Sequence, residues 1–227
     1  MTQDLRILVY GDSNSWGYLD DGEGQRFANR WPVEMARHLS QRRSVTLIEE
    51  CLPARTTNLP DPELGASFNG RSTLEAILLS HQPLDHVLIM LGTNDLKARF
   101  NRSASDIAKA IVGLAELTRS TPAGRGGWFA DQMPDVSVIC PLVIGARASD
   151  ASWEKAEEWI GATDKSNALA KVLQQACNAA GVHMIDGNQF GSSSERDPIH
   201  WSQETHLGFG KKMAATLTAR FESTSDT

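Results

Sequence analysis

The chain has 227 residues, 41% of them hydrophobic and 22% charged, a balance ordinary for a globular protein able to bury a core. Acidic residues outnumber basic ones 28 to 22. The resulting charge of −6 removes nucleic acid and anionic membrane from the default partners, because no basic excess is present to neutralise phosphates. No apolar run approaches the ~18 residues that a membrane span requires.

The first residues run directly into Ile7-Leu8-Val9-Tyr10 without the basic, apolar and small-residue sections of a secretory signal. Cys51, Cys140 and Cys177 are odd in number, far apart and without Cys-x-x-Cys spacing. Free thiols in a reducing cytoplasm are therefore expected, with neither a disulfide framework nor a metal site. Six tryptophans against two tyrosines is an unusual aromatic balance, since tryptophan combines a large apolar surface with a single donor.

Along the chain, short β-rich runs alternate with longer amphipathic ones. Arg6–Tyr10 reads as a strand stopped by Gly11-Asp12, and Trp31–Arg43 has helical apolar spacing. Val45–Glu50 is a second strand, Ser72–Ser80 a helix, and Val87–Leu91 a strand apolar on both faces, as in a buried parallel sheet. Ser103-x-x-Asp106 resembles a capped helix start with Asp where Glu or Gln is usual. Val136–Cys140 is a fourth strand, Glu154–Ala180 largely helical with a break at Gly161, Val182–Ile185 a fifth strand, and Ser202–Phe221 a closing helix. The polar tail from Glu222 reads as frayed. Five β-α units without a composition break predict one α/β domain over 1–227, with helices on both faces of a parallel five-stranded sheet.

Ligands of such sheets bind beyond the carboxyl ends of the strands, so those loops are the place to look for chemistry. They hold Gly11-Asp12-Ser13-Asn14-Ser15, then Leu52-Pro53-Ala54-Arg55, then Gly92-Thr93-Asn94-Asp95, and finally Asp197-Pro198-Ile199-His200-Trp201. A hydroxyl, a carboxamide and an acid–imidazole pair on one sheet edge are what acyl transfer needs. Ser13 is a poor nucleophile until an imidazole takes its proton; His200 can do so, and Asp197, three residues earlier, can reach its other nitrogen. Asn94 carries an NH2 group suited to an oxyanion, with the backbone N–H of Ser13 and one from the Leu52–Arg55 turn. Asp12, Ser15 and Asp186 are read as turn residues. His38, His81, His86, His183 and His206 are read as surface or core positions, His206 being the alternative base.

Gly11-Asp12-Ser13, Gly92-x-Asn94-Asp95 and Asp197-x-x-His200, in that order, resemble the signature blocks of the SGNH (GDSL-type) hydrolase superfamily. The strings Ile48–Thr57 and Ile89–Ala98 are similar to its arylesterase/acyltransferase branch, which includes perhydrolase activities. The resemblance spans nearly the whole chain. It implies a flavodoxin-like three-layer αβα fold (the SGNH hydrolase fold), cofactor- and metal-independent cleavage of small-molecule esters, a Ser13–Asp197–His200 triad and a homo-oligomer. Where the family has Leu after the serine, this chain has Asn14. Where it supplies a glycine N–H to the oxyanion hole, this chain has Ala54, a substitution harmless only if the turn does not demand positive φ; Gly70 is the rival donor. Trp16, Arg55 and Trp201 are taken as candidate walls of the substrate pocket. Trp153 and Trp159 are also placed near it, in a segment, Leu142–Gly161, expected to shape it together with Tyr18–Asn29. Carbohydrate acetylesterase and lysophospholipase or thioesterase chemistry are alternatives on the same fold, and a non-catalytic flavodoxin-like binding module is the reading from another class.

Overall fold

The computed structural model describes residues 4–225. Five parallel strands, β1 (Leu5–Gly11), β2 (Val45–Cys51), β3 (His86–Met90), β4 (Asp135–Cys140) and β5 (His183–Asp186), lie in the order β2-β1-β3-β4-β5. Between them run α1 (Ser13–Trp16), α2 (Trp31–Leu39), α3 (Gly70–Ser80), α4 (Ala104–Ser120) and α5 (Ala162–Ala180), and α6 (Gln203–Ser225) closes the chain. This is the expected three-layer α/β fold.

Successive residues of a strand face opposite sides, so each buried strand must feed two cores. Leu8 and Tyr10 of β1, Val87 and Ile89 of β3 and Val138 of β4 join Leu74 and Leu78 of α3, Ile107 and Ile111 of α4 and Leu169 and Leu173 of α5. Ile7 and Val9, Leu88 and Met90, and Ile139 join Trp31 and Met35 of α2 and Phe209, Met213 and Leu217 of α6. The unbroken apolar runs of β1 and β3 thus reflect burial on both faces.

The boundaries differ from expectation where local chemistry decides them. Residues 154–161 are not part of the long helix: a 3-10 turn at Ala156–Trp159 is followed by Gly161 at φ 72°, and α5 starts only at Ala162. α2 stops at Leu39, four residues early, and α3 begins at Gly70, where the Asn69 side chain accepts from the Arg71 N–H. At α4 the shorter aspartate still closes a capping box: Ser103 Oγ accepts from Asp106 N, and an Asp106 carboxylate oxygen accepts from Ser103 N at 3.0 Å. The tail expected to fray continues α6 as far as Ser225; Met1–Gln3 and Asp226–Thr227 lie outside the described residues.

Cys51, Cys140 and Cys177 are free thiols. Among the described residues no helix is long and apolar enough to cross a membrane. Leu88 sits on the middle strand with no exposure. Leu88→Ala is expected to lower unfolding stability by about 2–5 kcal/mol, read as a fall in denaturant midpoint at unchanged slope.

Candidate active site

The site begins at the carboxyl end of β1. A Cβ on Gly11 would sit 2.3 Å from Ser15 Oγ, so only glycine lets the strand turn at once into α1. Asp12 caps that short helix, its carboxylate accepting from Asn14 N at 3.1 Å and its carbonyl from the N–H groups of Ser15 and Trp16. Ser13 thereby stands at the first position of the turn, over the sheet edge.

His200 comes to it from the loop before α6. Its Nε2 lies 3.2 Å from Ser13 Oγ and its Nδ1 2.7 Å from Asp197 Oδ2. The other oxygen, Asp197 Oδ1, accepts from Ile199 N and His200 N, so the local turn the spacing suggested does form. Burial alone would raise the Asp197 pKa, but the hydrogen bond and charge of His200 and the two backbone donors outweigh it, and the pKa is lowered. An ionised Asp197 only accepts, which puts the ring proton on Nδ1 and leaves Nε2 to accept from the Ser13 hydroxyl. The arrangement can therefore take a proton from Ser13 and hold the imidazolium that results.

Asn14, the departure from the family pattern, links the two loops: its Nδ2 donates to the Ile199 carbonyl at 3.1 Å. The spacing of the motif said nothing of this role.

Donors converge on the space beside Ser13. Asn94 Nδ2 donates one hydrogen to the Arg55 carbonyl at 3.1 Å, leaving its second for a ligand. Among the described residues no acceptor takes the N–H of Ser13 or of Ala54. Ala54 has φ 67°, so the turn does demand the left-handed region and an alanine occupies it. Gly70 is not the rival donor: its N–H is given to Thr56 O, its carbonyl accepts from Tyr10 Oη, and a Cβ there would meet Thr56 O at 2.7 Å. Asp95 of the third block holds this corner together, accepting from Thr57 N and Oγ1 and from Arg102.

A cavity of roughly 210 Å3 opens on Ser13, Ala54, Asn94 and His200, and its walls are Tyr18, Lys97, Trp153, Lys155, Glu158 and Trp159. Arg55, Trp201 and Trp16, expected as walls, do not line it. Arg55 is 5% exposed and turns inward, donating to the carbonyls of Gly11 and Glu50 with its guanidinium 4.2 Å from the Tyr10 ring. Trp201 is wholly buried against Phe209 and His206, on the core side of His200. Trp16 points away from the cavity toward Arg26, whose guanidinium lies 5.4 Å from its ring. The tryptophans that do reach the cavity, Trp153 and Trp159, come from the irregular segment before α5. Of the others, Trp31 is core and Trp128 stands 65% exposed on the loop before β4.

The remaining histidines have structural partners. Ser137 Oγ bridges His86 and His183, His81 meets Glu50 and His38 meets Glu34. His206 is buried beside Trp201, its Nδ1 accepting from Trp31 N, and burial pulls its pKa down to about 4; it does not reach the cavity. A larger, more open depression of about 530 Å3 at the opposite sheet edge holds none of the candidate residues. The Cys177 thiol there is pushed up to about 11 by burial and stays protonated.

The chain matches the GDSL-like lipase/acylhydrolase family over residues 9–208. It belongs to that family. A native aryl esterase structure from M. smegmatis is 33% identical, with TM-score 0.85, over 95% of this chain and 99% of that one. A carbohydrate acetylesterase from Sinorhizobium meliloti is 32% identical, with TM-score 0.84, over the same shares of the two chains. A search of curated proteins found no match. As a GDSL-family chain with esterase neighbours, the protein is a hydrolase acting on esters.

Within this GDSL hydrolase the buried Asp12 carboxyl is pushed up to about 6, chiefly by burial. The folded state then binds that proton more tightly than the unfolded chain, so this group's contribution falls as pH rises from about 4 to 6. Asp12→Asn is expected to remove that slope, gaining about 2 kcal/mol relative to wild type between pH 4 and pH 7 in denaturant titrations. Ala54→Gly keeps the N–H and relieves a left-handed alanine. Its expected outcome is stability higher by about 0.5–1 kcal/mol in the same assay, with kcat within about twofold of wild type.

Proposed function

We propose that this hydrolase is a serine esterase cleaving small acyl esters through an acyl-enzyme on Ser13. The observation that carries the reading is the Asp197–His200–Ser13 chain at 2.7 and 3.2 Å, opening into a cavity that also presents Ala54 and Asn94. His200 Nε2 takes the Ser13 proton as Oγ bonds to the ester carbonyl carbon. The carbonyl oxygen becomes an anion facing the N–H groups of Ser13 and Ala54 and the Asn94 amide. The imidazolium then gives its proton to the departing alcohol as the ester C–O bond breaks. Water repeats the sequence on the acyl-serine, and an alcohol or hydrogen peroxide in its place makes the reaction acyl transfer or perhydrolysis.

The cavity supports a small acyl group. At roughly 210 Å3 it is below the ~300 Å3 at which drug-sized pockets begin, and Trp153 and Trp159 wall it. Aryl and simple alkyl esters fit such walls, in keeping with the aryl esterase neighbour. A second reading, deacetylation of a sugar, is favoured by one observation. A groove of about 320 Å3 shares Trp153, Lys155 and Asp197 with the cavity, and Asp20, Asp21, Arg147 and Arg196 offer donors and acceptors for hydroxyls along it. Self-association belongs to the same proposal and rests on the family resemblance; sedimentation velocity at micromolar concentration tests it.

The reading is checked with p-nitrophenyl esters of increasing chain length and an acetylated sugar, each with and without an alcohol acceptor. Acetate turnover is expected to exceed that of octanoate. Ser13→Ala should lower kcat by at least about a thousandfold and Asn94→Ala by about a hundred- to a thousandfold. A Ser13→Ala protein as active as wild type would sink the proposal.

A further inference from the structure

One aromatic ring touches the base itself. The Tyr18 ring centroid lies 4.4 Å from that of His200, with 33° between the planes, and Tyr18 also faces the cavity. The two nitrogens of the imidazole are engaged by Asp197 and Ser13, and Tyr18 covers one of its faces. Its backbone is held from both sides. The Tyr18 N–H donates to Ser13 O at 3.0 Å, Tyr18 pairs with Arg26, and Leu19 pairs with Trp201, the residue after the base. The ring is thus placed by the segments that carry the nucleophile and the imidazole.

We propose that Tyr18 is a positioning residue for His200: its ring keeps the imidazole aligned between Ser13 and Asp197 and stabilises the imidazolium formed when Ser13 gives up its proton. This rests on His200 acting as the base in the proposed ester cleavage. An aromatic face is negative and attracts a cation more than a neutral ring, so the contact strengthens as charge develops, which is the condition for raising kcat. The other charged or titratable groups around the imidazole are Asp197, Asp12 behind the nucleophile, His206 beyond Trp201, and Lys97, Lys155 and Glu158 across the cavity. Replacing Tyr18 by an apolar residue leaves the identity of all these groups unchanged. A ring serving only as a wall would be replaceable by any apolar side chain of similar bulk.

The test is an NMR titration of His200 in wild type, Tyr18→Phe and Tyr18→Leu, with His200→Gln to assign the resonance, alongside kcat and KM on an aryl acetate. Tyr18→Leu is expected to lower the His200 midpoint by about half to one pH unit and kcat by about two- to thirtyfold, with KM little changed. Tyr18→Phe, which keeps the ring, is expected to match wild type in both readouts. Tyr18→Met serves as the second ring-free variant if the leucine protein does not fold. Equal midpoints in all the proteins, or a phenylalanine variant as impaired as the leucine one, overturn the proposal. The titration needs no substrate, so failure of the ester-cleavage reading shows separately, as undiminished turnover by Ser13→Ala.

Discussion

Ser13 and His200 are separated by 187 positions in the chain yet must meet within one hydrogen bond, and much of the structure around the site serves that requirement. A parallel sheet brings the two loops to one edge but sets their spacing only loosely. The last few ångströms are set by local links. Asn14 Nδ2 donates to the Ile199 carbonyl, Leu19 bridges to Trp201, and Asp20 N donates to Trp201 O. Trp201 itself is locked into the core with Phe209 and His206, so the segment carrying the imidazole is anchored from below by apolar packing and from the side by backbone pairing. A shift of about 1 Å in either loop would separate the imidazole from the hydroxyl, and in the proposed ester cleavage such misplacement is costly in rate.

The same logic governs the donors. Asn94 and Ala54 come from different loops, and their relative position is held by Asn94 bonding to the Arg55 carbonyl and by Asp95 binding Thr57 of the loop after β2. Arg55, buried under this corner, ties the turn to the carbonyls of Gly11 and Glu50. Between Pro53 and the inward-fixed Arg55, Ala54 stands in the left-handed region at φ 67°. Alanine tolerates this at a cost of about 1–2 kcal/mol, which the surrounding hydrogen bonds must outweigh.

What was legible in the sequence follows from what repeats. Strands buried on both faces leave unbroken apolar runs, and polar loops at their carboxyl ends are conspicuous against them, so Ser13, Asn94, Asp197 and His200 could be picked out with the sheet. The walls were legible only as segments, those holding Tyr18, Trp153 and Trp159, and not as individual side-chain orientations. Whether a side chain beside an active residue points into the cavity depends on the φ and ψ of an irregular loop, which no periodicity encodes. Trp16 and Trp201 flank Ser13 and His200 in the chain but face elsewhere, whereas Lys97, inside the Ile89–Ala98 string, and Tyr18, at the start of a loop expected to shape the pocket, do line the cavity. The break before α5 had a visible cause in Gly161, but the 3-10 turn that aims Trp159 did not. The demand for positive φ at residue 54 could be suspected only through the family glycine, because the alanine here carries no such signal.

The cavity walls are coupled to one another as well as to the core on the sheet. Glu158 pairs with Lys97 at 2.9 Å and with Arg99 at 2.9 Å, and Arg99 also holds the fully buried Asp61 at 2.7 Å and Glu63 at 3.2 Å. Three loops, following β2, β3 and β4, are thereby joined at one guanidinium. A planar group with five donors suits such a junction, and a lysine in its place would reach fewer of these carboxylates. Lys97 in turn lies 5.4 Å from the Trp159 ring, so the aromatic wall is seated on the same ionic cluster. None of these residues contributes to the Ser13–His200–Asp197 chain. Reactive groups fixed by the strand ends, and a pocket shape fixed by an ionic cluster among the loops, are two separable layers. Substrate preference can therefore change through the second layer while the chemistry of the first is left intact.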